Sequence, residues 1–145
     1  RSLIVIGVGS DESRLKEMAN KNIEFLGWQS DTSVYEYLRN TKALIFPGEE
    51  DFGIVPVEAM ACGKPVIAFN KGGALDTMIE GVTGLFFHDQ TSESLAKCVR
   101  ELSKQSFDQN KIREHAFQFD RKIFKNTIGQ FVETKCDEHY KKLNG

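Results

Sequence analysis

The stretch 43–65 constrains the fold of this chain more than any other, because strand, loop and helix signals follow one another within it. Residues 43–46 form a short apolar run that stops at Pro47, which is typical of a buried parallel strand. An acidic loop follows, and then a compact apolar helix. Pro56 belongs in the first turn of that helix because proline has no N–H to donate, and Gly63 marks its end. The stretch therefore predicts a strand, a loop and a helix whose shared edge binds ligands in open α/β sheets.

Short apolar runs alternate with helical patterns along most of the chain. This alternation predicts an α/β fold in which a parallel sheet carries helices on both faces. The predicted strands are 3–8, 23–26, 43–46, 65–69 and 83–87. The predicted helices are 11–20, one capped by Ser30 or Asp31, 56–62, 74–80, and one that runs from Thr91 or Ser92 to about residue 104.

The tail 107–143 has a different character, since it is helical and rich in Lys and Phe. Aromatic residues recur in it at helical spacing. Such a stripe is more typical of a packed core than of a cofactor site, so we expect it to be buried. The stripe comprises Phe117, Phe119, Phe124, Ile128 and Phe131.

Composition excludes several functional classes. A length of 145 residues fits one domain with a core of its own, and a net charge of −2 argues against a general nucleic-acid-binding surface. The sequence shows neither an apolar run near the ~20 residues that span a bilayer nor a signal-peptide pattern. Its cysteines form no C-x-x-C pair, so we expect reduced thiols and a cytoplasmic location. We expect no metal site, because no carboxylate or histidine cluster has ligand spacing.

Two glycine turns follow the first two predicted strands. Gly7 and Gly9 fit the start of a dinucleotide fingerprint, but Glu12 stands where its third glycine would be. We therefore favour a tight strand-to-helix turn over an NAD site. Gly27 and Trp28, the sole tryptophan, follow the second strand. Two interpretations of this pair stay open: it lines a pocket for a nucleobase, or Trp28 is a packing anchor for the next helix.

Two carboxylates stand out around the central helix. Glu58 lies in what we predict to be its first turn, where a buried carboxylate is costly unless something pairs with it. Glu50 lies eight residues earlier, in the acidic loop formed with Glu49 and Asp51. Composition alone favours a solvated acidic loop and a surface glutamate. The alternative, a ligand site, depends on the full run of motifs along the chain.

The order of these motifs resembles the donor-site signature of retaining glycosyltransferases with the two-domain GT-B fold, the group 1 or family 4 transferases. Glu50 and Glu58 with seven residues between them, the run 52–66, Gly72-Gly73 and the run 81–85 carry the resemblance. It implies a Rossmann-like, doubly wound sheet with C-terminal helices, which is the C-terminal half of a GT-B fold.

The resemblance also has implications for domain organisation. Residues 1–145 would form the nucleotide-sugar-binding domain, without the N-terminal acceptor domain and without the first strand–helix unit of this domain. That missing strand would lie between 3–8 and 43–46 in the usual strand order. We therefore expect either a gap in the sheet or a sheet that has rearranged to close it. We also expect the isolated chain to be inactive, because the Arg and Lys that stabilise the leaving diphosphate lie upstream in this family.

The resemblance assigns roles to the residues of the motif. Glu58 would bind the ribose hydroxyls, and Glu50 would contact the donor hexose as the candidate catalytic residue; carboxylates accept hydrogen bonds well from vicinal hydroxyls. Backbone N–H groups at the helix start would bind phosphate and sugar oxygens, and Gly53 would let the backbone come close. The donor-binding set is Glu50, Phe52, Gly53, Ile54, Val55 and Glu58, with Gly27 and Trp28 as the base pocket and with no metal or other cofactor.

The sequence of 49–58 and 72–76 is similar to that of mannosyltransferases that use GDP-mannose in polysaccharide or glycan assembly. We therefore expect mannose transfer with retention to a glycan or lipid-linked acceptor. The acceptor would bind through the missing domain. The same resemblance implies peripheral association with the cytoplasmic face of a membrane, and an apolar face left open favours self-association. Two alternatives remain, a nucleotide-sugar epimerase on the same fold and a non-catalytic sugar-nucleotide-binding module.

Overall fold

The computed structural model describes residues 2–143, and the chain divides into two compact units, Arg1–Thr41 and Lys42–Gly145. In the first unit, β1 (Leu3–Ile6) pairs in parallel with β2 (Ile23–Gly27). The N–H of Gly7 donates to the carbonyl oxygen of Gly27 at 2.8 Å, which closes the turn after β1. The strand-to-helix turn that we favoured over an NAD site is therefore what the backbone forms.

Two helices complete the first unit, α1 (Glu12–Met18) and α2 (Asp31–Asn40). The hydroxyl of Ser30 accepts a hydrogen bond from the N–H of Ser33 and caps α2, as predicted. Leu38 is buried in this unit. The apolar side chains of β1 are instead largely exposed, and self-association through an open apolar face stays a prediction.

The second unit contains a three-stranded parallel sheet in the order β3-β4-β5. Its strands are β3 (Leu44–Phe46), β4 (Val66–Phe69) and β5 (Gly84–Phe87). β4 lies in the middle, and all four of its residues are buried, as expected for a continuous apolar run in a parallel sheet. The helices of this unit are α3 (Ile54–Ala61), α4 (Ala74–Thr77), α5 (Ser92–Leu102), α6 (Gln109–Phe117) and α7 (Arg121–Leu143).

Two packed regions hold the second unit together. One is the apolar cluster of Ile67, Phe69, Leu85, Phe87 and Cys98, which α5 covers with Leu95, Val99 and Leu102. In the other, α6 packs on α3, and Ala59, Met60 and Ile112 are fully shielded from solvent. The hydroxyl of Thr91 caps α5 as predicted. The α/β class, the parallel pairing and the C-terminal helices are confirmed.

Within residues 2–143, the strands of the two units are not paired with one another, and the expected gap stays a prediction. Among the described residues, β1 pairs with β2, and β3 pairs with β4, so that the strands form two sheets. The assignment of 1–145 to a single nucleotide-sugar-binding domain stays a prediction. None of the helices within residues 2–143 combines the length and the hydropathy that a bilayer crossing requires.

Three local predictions are wrong. α3 begins at Ile54, so that Pro56 lies in its first turn as predicted, but Glu58 lies in the second turn rather than the first. α4 is a single turn that ends at Thr77, because the backbone of Met78 is extended. The aromatic stripe of the tail is mostly exposed rather than buried: Phe117 is 68% exposed, Phe124 63%, Ile128 42% and Phe131 57%, whereas Phe119 is half-buried.

Candidate functional site

Residues 49–55 line an open depression of about 540 Å³ where β3 leads into α3. Five of the six predicted donor-binding residues lie there together: Glu50, Phe52, Gly53, Ile54 and Val55. Glu58 is half-buried one turn further along α3 and does not line the depression. The depression lies at the carboxyl end of a parallel strand, which is the usual position of ligands in open α/β sheets.

Gly53 is the N-cap residue of α3, and its backbone has φ 76° and ψ 72°. Only glycine adopts this left-handed conformation without strain. A Cβ at Gly53 would stand 3.5 Å from the ring of Phe46, which is ordinary van der Waals contact. The backbone conformation therefore demands glycine here, whereas the reason that we predicted was close approach to a ligand.

The N-terminus of α3 has no side-chain cap, because glycine occupies the N-cap position. The first N–H groups of any helix lack partners within the helix, and they carry the positive end of its dipole. At α3 these groups belong to Ile54 and Val55, which are 63% and 42% exposed. They are therefore placed to donate to an anionic ligand such as a phosphate.

Three exposed carboxylates, those of Glu49, Glu50 and Asp51, stand beside this helix start. None of them belongs to a salt bridge within residues 2–143. They can accept hydrogen bonds from the hydroxyl groups of a ligand. The same described part of the chain contains no group of three or more His, Cys, Asp or Glu side chains that suits a metal ion. The depression thus combines hydrogen-bond acceptors on its loop with donors on its helix.

The turn at Gly72-Gly73 packs closely against the backbone of the acidic loop. The N–H of Gly73 donates to the carbonyl oxygen of Glu50 at 2.7 Å. A Cβ on Gly73 would lie 2.4 Å from Cα of Phe52, and one on Gly72 would lie 2.5 Å from the oxygen of Glu50. The backbone φ is 61° at Gly72 and −62° at Gly73, so that only Gly72 lies in the left-handed region. Gly73 is needed for close backbone contact instead.

The loops after β3, β4 and β5 are also joined by side chains. The amide of Gln90, after β5, donates to the carbonyl oxygen of Pro47, after β3, at 3.2 Å. The amide nitrogen of Asn70, after β4, lies 2.8 Å from Nδ1 of His88. Sequence reasoning missed these contacts, although the position of each residue just past a predicted strand was a usable signal.

The ring of Phe52 packs on the carboxyl-terminal part of the unit. Its centroid lies 5.9 Å from that of Phe119 in an edge-to-face arrangement, and Phe119 meets His115 in the same way at 5.8 Å. Nε2 of His115 lies 2.8 Å from the carbonyl oxygen of Thr77. His115 is half-buried and has defined partners.

Trp28 follows Gly27, whose φ of 65° turns the chain out of β2. The indole of Trp28 is 75% exposed. A side chain this open is not a packing anchor, so that interpretation is wrong. The other interpretation, a pocket for a nucleobase formed with Gly27, stays a prediction.

Comparison with known proteins places the fold and the motifs in a family. The sequence model of the family described as glycosyl transferases group 1 matches residues 1–119. An uncharacterized glycosyltransferase of Methanocaldococcus jannaschii is 32% identical over 124 residues, which cover 82% of this chain and 35% of that protein. The phosphatidyl-myo-inositol mannosyltransferase of Propionibacterium freudenreichii is 37% identical over 107 residues, covering 70% of this chain and 27% of that protein.

Among solved structures, the Anabaena protein HepE in complex with UDP and glucose has a TM-score of 0.72. Its sequence is 24% identical, and the superposition covers 91% of this chain and 40% of HepE. A likeness at this identity shows the fold. The chain spans 27% to 35% of the length of the two curated relatives, so that most of each relative has no counterpart in it.

Proposed function

The chain belongs to the glycosyl transferases group 1 family, and from this premise we propose that it is the donor-binding domain of a retaining mannosyltransferase. The donor in this proposal is GDP-mannose. The mannosyltransferase of Propionibacterium freudenreichii, which is 37% identical to this chain, supports mannose as the sugar. The acceptor is a glycan or a lipid-linked sugar, and it binds to a second domain outside this chain.

One observation carries the proposal: the acidic loop and the uncapped N-terminus of α3 line the same open depression. A nucleotide sugar presents hydroxyl groups, which donate hydrogen bonds, and phosphate oxygens, which accept them. The carboxylates of Glu49, Glu50 and Asp51 match the hydroxyl groups. The N–H groups of Ile54 and Val55 match the anionic oxygens. A ligand with both kinds of group fits this edge better than a purely apolar or purely cationic one.

Glu50 is the candidate catalytic residue in this proposal. In a retaining transfer, the bond from the anomeric carbon to the diphosphate oxygen breaks, and the acceptor oxygen bonds to the same face of the sugar while its proton passes to the departing diphosphate. Glu50 holds the hexose hydroxyls during that exchange. The N–H of Gly73 donates a 2.7 Å hydrogen bond to the carbonyl oxygen of Glu50. This bond restrains the backbone of Glu50 and so limits where its carboxylate can lie.

Glu58 has a different role in the proposal. It lies on α3, one turn beyond the N–H groups that bind the phosphates, and it is half-buried. A ribose is joined to the α-phosphate, so a carboxylate further along the same helix suits its two hydroxyl groups. Gly27 and Trp28 would complete the donor site as the base pocket.

The acceptor and the groups that neutralise the departing diphosphate are supplied by other parts of the enzyme in this proposal. Holding two reactants together is worth roughly 7–11 kcal/mol of a reaction barrier in favourable cases. Stabilising the charge that develops on the leaving group lowers the barrier further. The 145-residue chain is therefore expected to bind nucleotide weakly and to transfer no sugar.

The test is a panel of nucleotides and nucleotide sugars measured by isothermal titration and thermal shift. We expect GDP and GDP-mannose to bind more tightly than UDP, ADP and their sugars, and to raise the unfolding temperature accordingly. Glu50→Gln should lose GDP-mannose affinity while GDP affinity changes little. Glu133→Gln, an exposed glutamate of α7, is the matched control. Preference for UDP or ADP would refute GDP-mannose as the donor, and no nucleotide binding at millimolar concentration would refute the site.

Transfer itself is tested with a protein that includes both domains. We expect GDP-mannose to be consumed in the presence of a mannoside or a lipid-linked acceptor, and the anomeric configuration of the product, read by NMR, to match that of the donor. Inversion would refute the retaining part of the proposal. A cytoplasmic location at the inner face of a membrane belongs to the same proposal, and cell fractionation tests it.

A further inference from the structure

A continuous path of contacts joins the end of α6 to the acidic loop. The ring of Phe52 meets the ring of Phe119 edge to face, with centroids 5.9 Å apart and planes at 77°. Phe119 meets the ring of His115 in a similar way, at 5.8 Å and 74°. Such aromatic pairs contribute beyond the area that they bury, and their edge-to-face geometry restricts where each ring can lie.

A second path reaches the same loop through α4. The hydroxyl of Thr77 donates to the carbonyl oxygen of Gly73 at 3.0 Å. The N–H of Gly73 in turn donates to the carbonyl oxygen of Glu50 at 2.7 Å. Thr77 is fully shielded from solvent, so its hydrogen bonds are sheltered from competition by water.

The two paths meet at His115. A carbonyl oxygen can only accept a hydrogen bond, so the 2.8 Å contact with Thr77 means that Nε2 of His115 carries the hydrogen and donates it. His115 thus holds α4 with its nitrogen and Phe119 with its ring. The helix that carries His115, α6, packs on α3, and its residue Ile112 is completely buried.

We propose that His115 and Phe119 are positioning residues that hold the nucleotide-sugar loop, residues 49–53, in its binding conformation. They do so at two points, the ring of Phe52 and the backbone of Glu50. Neither His115 nor Phe119 lines the depression, so each acts through another residue. This inference rests on the proposed function for the identity of the ligand, whereas the control of the loop does not depend on it.

The physical reason is that the loop is otherwise weakly restrained. Its residues Glu49 to Phe52 are exposed, and Phe52 is 47% exposed. Ordering an exposed segment on binding costs conformational entropy, so a loop that is ordered beforehand binds more tightly. Removing one of its supports should raise its mobility and lower the affinity for nucleotide, with little change in overall stability.

The experiment separates the two functions of His115. His115→Gln keeps an N–H that can reach Thr77 but removes the ring, and His115→Phe keeps a ring but removes the donor. Phe119→Leu removes the aromatic contact from the other side. The controls are Phe117→Leu on α6, at a position that is 68% exposed, and His139→Gln on the exposed surface of α7.

Three quantities are measured on each variant of the 145-residue chain: amide hydrogen exchange of 49–55, the dissociation constant of GDP, and the unfolding temperature. We expect each of the three site variants to speed exchange in 49–55 and to weaken GDP binding by about three- to ten-fold, as loss of one aromatic contact or one hydrogen bond implies. The double variant His115→Gln with Phe119→Leu should weaken GDP binding no more than the stronger of the two single variants. Both changes break the aromatic path, and His115→Gln keeps the N–H of the second path. The control variants should match the wild type.

Other results would overturn the inference. Unchanged exchange in 49–55 would show that His115 and Phe119 serve packing alone, whether or not the unfolding temperature falls. Faster exchange with unchanged GDP affinity would show that loop order does not matter for binding. If the wild-type chain binds no nucleotide, the proposed function fails, while the exchange rates of 49–55 still decide whether these two residues hold the loop. His115→Gln is the mildest change and keeps the test valid if Phe119→Leu does not fold.

Discussion

Gly73→Ala should damage nucleotide binding, because the new methyl group would collide with the backbone of the acidic loop. The added Cβ would lie 2.4 Å from Cα of Phe52 and 2.5 Å from the carbonyl oxygen of Asp51. Ordinary contact begins near 3.4 Å, and both neighbours are backbone atoms that cannot rotate away. The loop must therefore move by about 1 Å, a displacement that can cost about 10²-fold in a site that depends on position.

The stability cost of Gly73→Ala should be smaller than its functional cost. Forcing one extra methyl group into a packed region typically costs about 1–3 kcal/mol. The unfolding temperature should then fall by roughly 2–4 °C for each kcal/mol in a chain of this size. The loop is exposed and can shift outward, so we expect the lower part of that range. Titration with GDP, corrected for the folded fraction, and a thermal unfolding curve measure the two effects separately.

Gly48→Ala is the matched control, because Gly48 lies in the same strand-to-helix connection and a Cβ there would meet nothing within 4 Å. It should change the free energy of unfolding by less than about 0.5 kcal/mol and should leave GDP affinity intact. The reasoning is refuted if Gly73→Ala binds GDP as well as Gly48→Ala does. It is also refuted if both variants lose affinity equally.

Three further predictions concern α3, α6 and α5. Glu58→Ala should weaken GDP binding by about 1.5–3 kcal/mol through loss of a charged hydrogen-bond acceptor, whereas titration of Glu133→Ala should show wild-type affinity. Ile112→Ala should lower the free energy of unfolding in urea by about 2–5 kcal/mol, because the side chain is 0% exposed, and a loss below 1 kcal/mol would contradict the α3–α6 packing. Burial raises the pKa of the Cys98 thiol from 9.0 to about 11, so iodoacetamide at pH 8 should label the exposed Cys136 well before Cys98. The free energy of unfolding should fall as pH rises from about 9 towards 11, because the unfolded chain loses the Cys98 proton more readily than the folded chain does. Equal labelling of the two thiols in the native chain would contradict the shift.

Local chemistry explains why much of the fold could be predicted. The strands β3, β4 and β5 coincide closely with the apolar runs 43–46, 65–69 and 83–87. Ser30 and Thr91 cap α2 and α5, because a hydroxyl group just before an apolar-periodic segment satisfies a helix N–H wherever the helix packs. These signals act over a few residues, so they do not depend on the rest of the chain.

The candidate site could be located from sequence, but the contacts that hold its loop in place could not. The order of strand, acidic loop and helix placed Glu50 and Val55 at one sheet edge, and the structure has them there. The contact between His115 and Thr77 joins residues 38 apart in sequence, and nothing in the spacing of either residue indicates it. The Gly72-Gly73 pair was visible in the sequence, but the sequence did not indicate that Gly73 lies against the backbone of Phe52.

Sequence by itself determined the parallel α/β class, the positions of the strands and the motif that identifies the family. These features follow from hydrophobic periodicity, capping and turn chemistry, which are local properties of the chain. Tertiary structure alone decided which amphipathic surfaces are covered. The spacing of Phe124, Ile128 and Phe131 shows that one face of α7 can be buried, but burial also needs a facing surface, and within residues 2–143 these side chains remain exposed. Tertiary structure likewise decided that Phe119 lies against Phe52 and that His115 lies against Phe119, because contact between distant residues depends on how whole helices pack.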